Sequence, residues 1–135
     1  MKTVLFVCGH NAGRSQMAEA WLNHSARVRG LPVRAISAGT GPADRVNPSA
    51  ILAMEEIGVS LEGHFPKTVT QEMVDSADRV ISMGCGVDVV ACPSKFLLTE
   101  DWALDDPADQ PIETVRAIRD SIIERVDALL EELSR

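Results

Sequence analysis

Val4-Leu5-Phe6-Val7 forms a short apolar run near the start of the chain and predicts a first strand over residues 3–7. A glycine-containing loop, residues 8–14, follows. It leads into a helix over about residues 15–28, closed by Gly30 and Pro32. A second strand is expected at residues 33–37. Asn47-Pro48 then supplies an N-cap and a proline at the first helical position, and Gly58 ends that helix. Thr70 caps a short helix running to Ser76, residues 79–83 form a third strand, and residues 96–98 a brief fourth. In the last stretch, about 111–133, Val115, Ile118, Ile122, Val126, Leu129 and Leu133 recur at three- and four-residue steps. They make one apolar helical stripe that faces the sheet. Glu113, Arg116, Asp120, Glu124, Asp127 and Glu131 fall on the other face and read as a solvated surface. The alternation of strand and helix points to an α/β sandwich with a mostly parallel sheet. No repeat, low-complexity tract or linker interrupts it, so residues 1–135 are expected to form a single domain.

Charge and composition narrow the classes. The formal net charge of −7 argues against non-specific nucleic-acid binding, which draws on clustered Lys and Arg. It leaves room for an anionic substrate, because the field at a helix terminus can oppose the global charge. No apolar run approaches the roughly 20 residues that cross a bilayer, and the N-terminal apolar run is too short for a signal peptide. A cytoplasmic protein without membrane contact is expected, as a monomer. The three cysteines, Cys8, Cys85 and Cys92, are an odd number and are not expected to form a static disulfide framework in a reducing compartment. Buried inert thiols, metal ligands, and redox or nucleophilic chemistry remain open for them.

The stretch Cys8-Gly9-His10-Asn11-Ala12-Gly13-Arg14-Ser15 narrows the choice. Cys8 sits at the C-terminal end of the first strand, where open α/β sheets place ligands. The backbone N–H groups of Gly9, His10, Asn11, Ala12 and Gly13, with the helix N-terminus beyond, can cradle a tetrahedral oxyanion. Arg14 adds a bidentate grip that lysine could not reproduce. Gly9, Gly13 and Asn11 tolerate positive φ, as a loop wrapped around an anion requires. The helix dipole and Arg14 favour the Cys8 thiolate, and Ser15 is placed to donate a hydrogen bond to the sulfur. A cysteine at a strand end is usually a small buried hydrophobe; the spacing Cys-x5-Arg-Ser in this context marks it as a nucleophile.

The motif resembles the phosphate loop of the low-molecular-weight tyrosine phosphatases and of the thioredoxin-coupled arsenate reductases. The similarity to the reductases covers nearly the whole chain: residues 8–20, Ser37-Ala38-Gly39, Val46-Asn47-Pro48, Cys85 with Cys92, and residues 102–107. It implies a three-layer sandwich with a four-stranded parallel sheet and helices on both faces. The resemblance also implies reduction of arsenate to arsenite, in arsenic detoxification, with no bound cofactor and with reducing equivalents from thioredoxin or a similar dithiol protein. It puts the general acid at Asp106 in Asp105-Asp106-Pro107, with Asp105 as the fallback; such an acid would protonate the oxygen that leaves arsenic.

The same cradle would serve a phosphatase, but only arsenate can accept two electrons. Cys85 would attack the Cys8–arsenic adduct, and Cys92 would then attack Cys85, leaving a Cys85–Cys92 disulfide for the external donor. If the six residues between them are helical, the two Cα atoms stand about 10.5 Å apart, and a disulfide needs them within roughly 7 Å. The segment, with Gly84, Gly86 and three valines, is therefore expected to be at least partly helical when reduced and a loop when oxidised. A zinc site is disfavoured by the spacing, and no metal is expected. Some related reductases bind potassium through residues that match Asn11, Glu19 and Ser37. Here Phe65-Pro66-Lys67 departs from that pattern, and the Lys67 ammonium is expected to replace the ion, pairing with Glu19 or a neighbour. The tyrosine phosphatases place aromatic residues after the Asp-Pro pair, whereas this chain has Ala108-Asp109-Gln110 and no tyrosine. Hydrolysis of phosphotyrosine or small aryl phosphates is therefore the alternative function, and an oxidant-sensing anion-binding module the third.

Overall fold

A computed structural model describes residues 1–83, 100–102, 104 and 107–134. Strand β1 (Lys2–Cys8) is followed by α1 (Arg14–Arg29), β2 (Val33–Gly39), α2 (Pro48–Glu55), α3 (Gln71–Ser76), β3 (Arg79–Ser82), β4 (Glu100–Asp101) and α4 (Ile112–Leu133). The sheet runs in the order β2-β1-β3-β4 with every pair parallel. Three strands of four to seven residues carry it, and β4 is a two-residue edge. The expected strand at 96–98 lies outside the described residues.

The apolar run of β1 is continuous because both of its faces are covered. Val4, Phe6 and Cys8 enter a large core with α1, α2 and α4, which includes Met17, Leu22, Met54, Ile122 and Leu130. Leu5 and Val7 point the other way, into a smaller core with Ala38 and Val80, against Met73 and Val74 of α3. Helices thus lie on both faces. The register pairs Cys8 with Gly39 and Val7 with Ser82, so the carboxyl ends of β1, β2 and β3 meet at one edge.

Local signals placed most boundaries within a residue or two. Gly30 closes α1 in the left-handed region at φ 67°. Thr70 caps α3, its hydroxyl accepting from Met73 N at 3.2 Å. Helix α2 stops at Glu55, before the expected end at Gly58, and the chain turns through Gly58 at φ 79°. Strand β2 continues to Gly39, two residues beyond expectation.

The α4 stripe is buried as expected at Val115, Ile118, Ile122, Val126 and Leu129. Arg119 is buried too, because its side chain reaches across to α2. Its Nη1 donates to Ala53 O at 2.8 Å and to Glu56 Oε1 at 2.9 Å, while Arg116 donates to both Glu56 oxygens. Arg116 holds the Glu56 carboxyl down to about 2 from its ordinary 4.5, with Arg119 as a further donor. A folded-state value below the unfolded one gives a stabilisation that is complete above about 4.5 and is lost as pH falls toward 2. Solvent around the cluster keeps the effect small. Glu56→Gln is therefore expected to lower Tm at neutral pH, with the difference from the parent vanishing in acid. Thermal melts across that range test it, and a gap that persisted in strong acid would contradict it.

Candidate active site

Five successive loop carbonyls are each tied down from outside the loop. Gly41 N donates to Gly9 O (2.8 Å), Ala43 N to His10 O (3.0 Å) and Asn47 N to Ala12 O (2.8 Å). Gln16 Nε2 donates to Asn11 O (3.1 Å) and Met17 N to Gly13 O (2.9 Å). With the carbonyls held away, the loop can present its N–H groups inward to an anion. Gly39 permits the approach: a Cβ there would stand 2.6 Å from Gly9 O and 2.9 Å from Cys8 O, too close for any side chain.

Cys8 lies buried at the floor of a cavity of about 210 Å³, lined by Cys8, His10, Ala12, Gly13, Arg14, Ala43, Asn47 and Ala108. Its sulfur is 2.9 Å from Ser15 Oγ and accepts from Asn11 N at 3.1 Å. Ser15 Oγ also accepts from Asn11 Nδ2 at 2.7 Å. When Cys8 is a thiolate it carries no proton, so the proton of this contact is then the hydroxyl's and Ser15 donates to the sulfur. Two donors converging on Sγ favour the thiolate over the thiol. Arg14 is buried, and its Nη1 donates to Met83 O (3.1 Å) and Leu104 O (2.8 Å), which fixes the guanidinium across the ends of β3 and the 104 segment.

Behind the loop lies a polar layer. Asn11, at φ 50°, accepts on Oδ1 from Gln16 Nε2 (3.1 Å) and from Lys67 N (2.9 Å). Gln16 is fully buried; its Nε2 also donates to Phe65 O, and its Oε1 stands 3.0 Å from His64 Nδ1. Glu19 Oε1 accepts from Ser37 Oγ at 3.1 Å, and Glu19 Oε2 faces His64 Nδ1 at 3.1 Å. The oxygens of Asn11 and Glu19 are thus engaged by N–H and O–H donors, an arrangement that does not fit them as potassium ligands. The Lys67 ammonium reaches a neighbour, donating to Phe65 O at 3.3 Å, and Glu19 has His64 instead. Among the described residues no cluster of three or more His, Cys, Asp or Glu could hold a metal ion.

Cys8, Gly9, His10, Asn11, Ala12, Gly13, Arg14 and Ser15 come together in and beneath this loop. Cys85, Cys92, Asp105 and Asp106 lie outside the described residues. Pro107, which follows Asp106, is buried beside the loop; a Cβ on Gly13 would stand 2.7 Å from its Cγ. Sequence reasoning missed Gln16, His64, Ala43 and the pocket-facing side of Asn47. Gln16 lies in the first turns of α1 and His64 in the segment after α2, and nothing in local spacing says what they touch.

Replacing Ser15 with Ala removes one donor from the sulfur. In a Cys85→Ser, Cys92→Ser background, the pH profile of Cys8 alkylation by iodoacetamide is expected to move to higher pH, with several-fold slower reaction at neutral pH. An unmoved profile would show that the hydroxyl does not stabilise the thiolate.

The profile of the low molecular weight phosphotyrosine protein phosphatases matches residues 3–135. The glutaredoxin arsenate reductase of Synechocystis sp. is 37% identical over 138 residues, covering 99% of this chain and 100% of that protein. A solved structure described as an arsenate reductase in the phosphate binding state superposes with a TM-score of 0.84 at 36% identity, covering 99% of this chain and 100% of the other. The thioredoxin-dependent arsenate reductase of Corynebacterium glutamicum gives 0.77 at 38% identity, over all of this chain and 64% of that one. With the cysteine loop, the parallel sheet and this similarity along the whole length, the chain belongs to the low molecular weight phosphotyrosine protein phosphatase family.

Proposed function

We propose that this protein is an arsenate reductase, in which Cys8 attacks arsenic and Cys85 and Cys92 carry the oxidation away. The Cys8 sulfur, contacted by Ser15 Oγ and Asn11 N at a cavity of about 210 Å³, supplies the nucleophile, and the observation that carries the choice of arsenate is the likeness along the whole chain to arsenate reductases. The relatives that bear the name arsenate reductase support it.

In this reading arsenate sits on the loop N–H groups and Arg14. The Cys8 thiolate forms a bond to arsenic, and one oxygen leaves as water with a proton from Asp106. Cys85 thiolate then attacks the Cys8 sulfur. The sulfur–arsenic bond breaks, its electron pair goes to arsenic, and arsenite departs from a Cys8–Cys85 disulfide. Cys92 attacks Cys85, expels Cys8 as thiolate and leaves a Cys85–Cys92 disulfide. A dithiol protein reduces that disulfide: thioredoxin or, as the Synechocystis relative's name suggests, glutaredoxin. Electrons pass from sulfur to sulfur, so the cycle calls for no prosthetic group. A relay that must be returned to thiols also fits a reducing compartment such as the cytoplasm. Among the described residues no helix is long and apolar enough to cross a membrane.

The family description favours a second reading, hydrolysis of a phosphate ester in the same cavity. One assay separates them: arsenite release with thioredoxin, its reductase and NADPH, beside hydrolysis of p-nitrophenyl phosphate. As a reductase the protein turns over arsenate, and Cys92→Ser stops turnover after about one arsenite per enzyme, because only the Cys8–Cys85 disulfide can then form. A phosphatase would release no arsenite and would hydrolyse the ester equally well with or without Cys92.

A further inference from the structure

Asn47 stands at the N-cap of α2, in extended backbone (φ −60°, ψ 129°) with Pro48 after it, where an asparagine side chain ordinarily accepts from the first turn. It makes no such bond here. The backbone alone does the local work: Asn47 N donates to Ala12 O, and Asn47 O accepts from Ala50 N and Ile51 N. The amide instead lines the Cys8 cavity, with Nδ2 3.2 Å from where a Gly13 Cβ would be, beside Pro107. Among the described residues, three outside the loop line that cavity: Ala43, Asn47 and Ala108. Asn47 alone of the three has a polar side chain.

We propose that the Asn47 side-chain amide is a substrate-binding group that donates a hydrogen bond to an oxyanion oxygen facing away from the loop. The proposal builds on the oxyanion reading of the cavity. Beyond the loop N–H groups and Arg14, an oxygen directed toward the Asn47 wall can take a further donor, and an amide N–H supplies one. A neutral amide gives up no proton, so Asn47 binds and orients while proton transfer is left to an acid. An asparagine that kept its side chain for the helix would stabilise α2; here that contribution is forgone, and Asn47 lines the cavity.

Two variants and two readouts test this. Asn47→Ala loses the donor but no cap bond. It is expected to weaken binding of inorganic phosphate, measured by calorimetry, and to raise KM for arsenate, each by roughly tenfold as for one hydrogen bond to an anion. Its kcat should be nearly unchanged and its Tm should stay within about 2 °C of the parent. Asn47→Asp keeps shape and capping ability but sets a carboxylate against the anion, and is expected to bind phosphate more weakly still while melting normally. Phosphate bound by Asn47→Asp as tightly as by the parent overturns the proposal, whatever Asn47→Ala does to stability. So does a fall of several degrees in the Tm of Asn47→Ala with unaltered phosphate binding, which would return the side chain to a capping role. Phosphate binding is read without turnover, so a parent protein that binds phosphate yet releases no arsenite counts against the reductase assignment and leaves this test intact.

Discussion

A backbone that is to hold an anion through its N–H groups must dispose of its carbonyls, and the rest of this site depends on how that is done. Residues 9–13 turn five consecutive carbonyls outward, and each one meets a donor: Gly41, Ala43 and Asn47 from the segment after β2, Gln16 and Met17 from α1. A buried carbonyl without a partner would cost about 1–3 kcal/mol, so at Asn11, Ala12 and Gly13, all buried residues, these donors matter most. The segment that follows β2 is accordingly part of the site. Gly39 marks a close approach of the two segments, where a β-carbon would overlap both Gly9 O and Cys8 O.

The same logic extends to the sulfur. Asn11 adopts a left-handed conformation that places its N–H on Cys8 Sγ and its side-chain amide on Ser15 Oγ. That conformation is held by Gln16 and by Lys67 N on Oδ1, and Gln16 is held in turn by Phe65 O and His64. The placement of the Ser15 hydroxyl at the nucleophile therefore depends on a polar layer drawn from α1 and the 64–67 segment. Where hydrogen bonds are buried and interlocked, removing one member disturbs the others, which is the usual behaviour of such networks.

Nothing in this cradle distinguishes phosphate from arsenate, since the two anions share shape and charge. The family accordingly carries phosphatase in its description while relatives of this chain carry the name arsenate reductase. What separates the two chemistries is whether thiols beyond the nucleophile can take part. In this sequence those thiols follow β3, whose carboxyl end lies beside that of β1 in the sheet.

The sequence alone pointed to most of the described elements, to the cysteine loop between β1 and α1, and to the oxyanion proposed as its ligand, because these follow from neighbours within a few positions. An apolar run, a helical stripe, a Thr70 cap and a Cys-x5-Arg-Ser spacing are all local facts. It could not tell that Gln16 and His64 support the loop, that the Arg119 side chain reaches from α4 to α2, or that Asn47 withholds its side chain from the helix it begins. Each of those depends on a hydrogen bond, or the lack of one, between residues placed together by parallel pairing and helix packing. Hydrogen bonds of this kind are set by distance in space, and the order of residues along the chain records none of it.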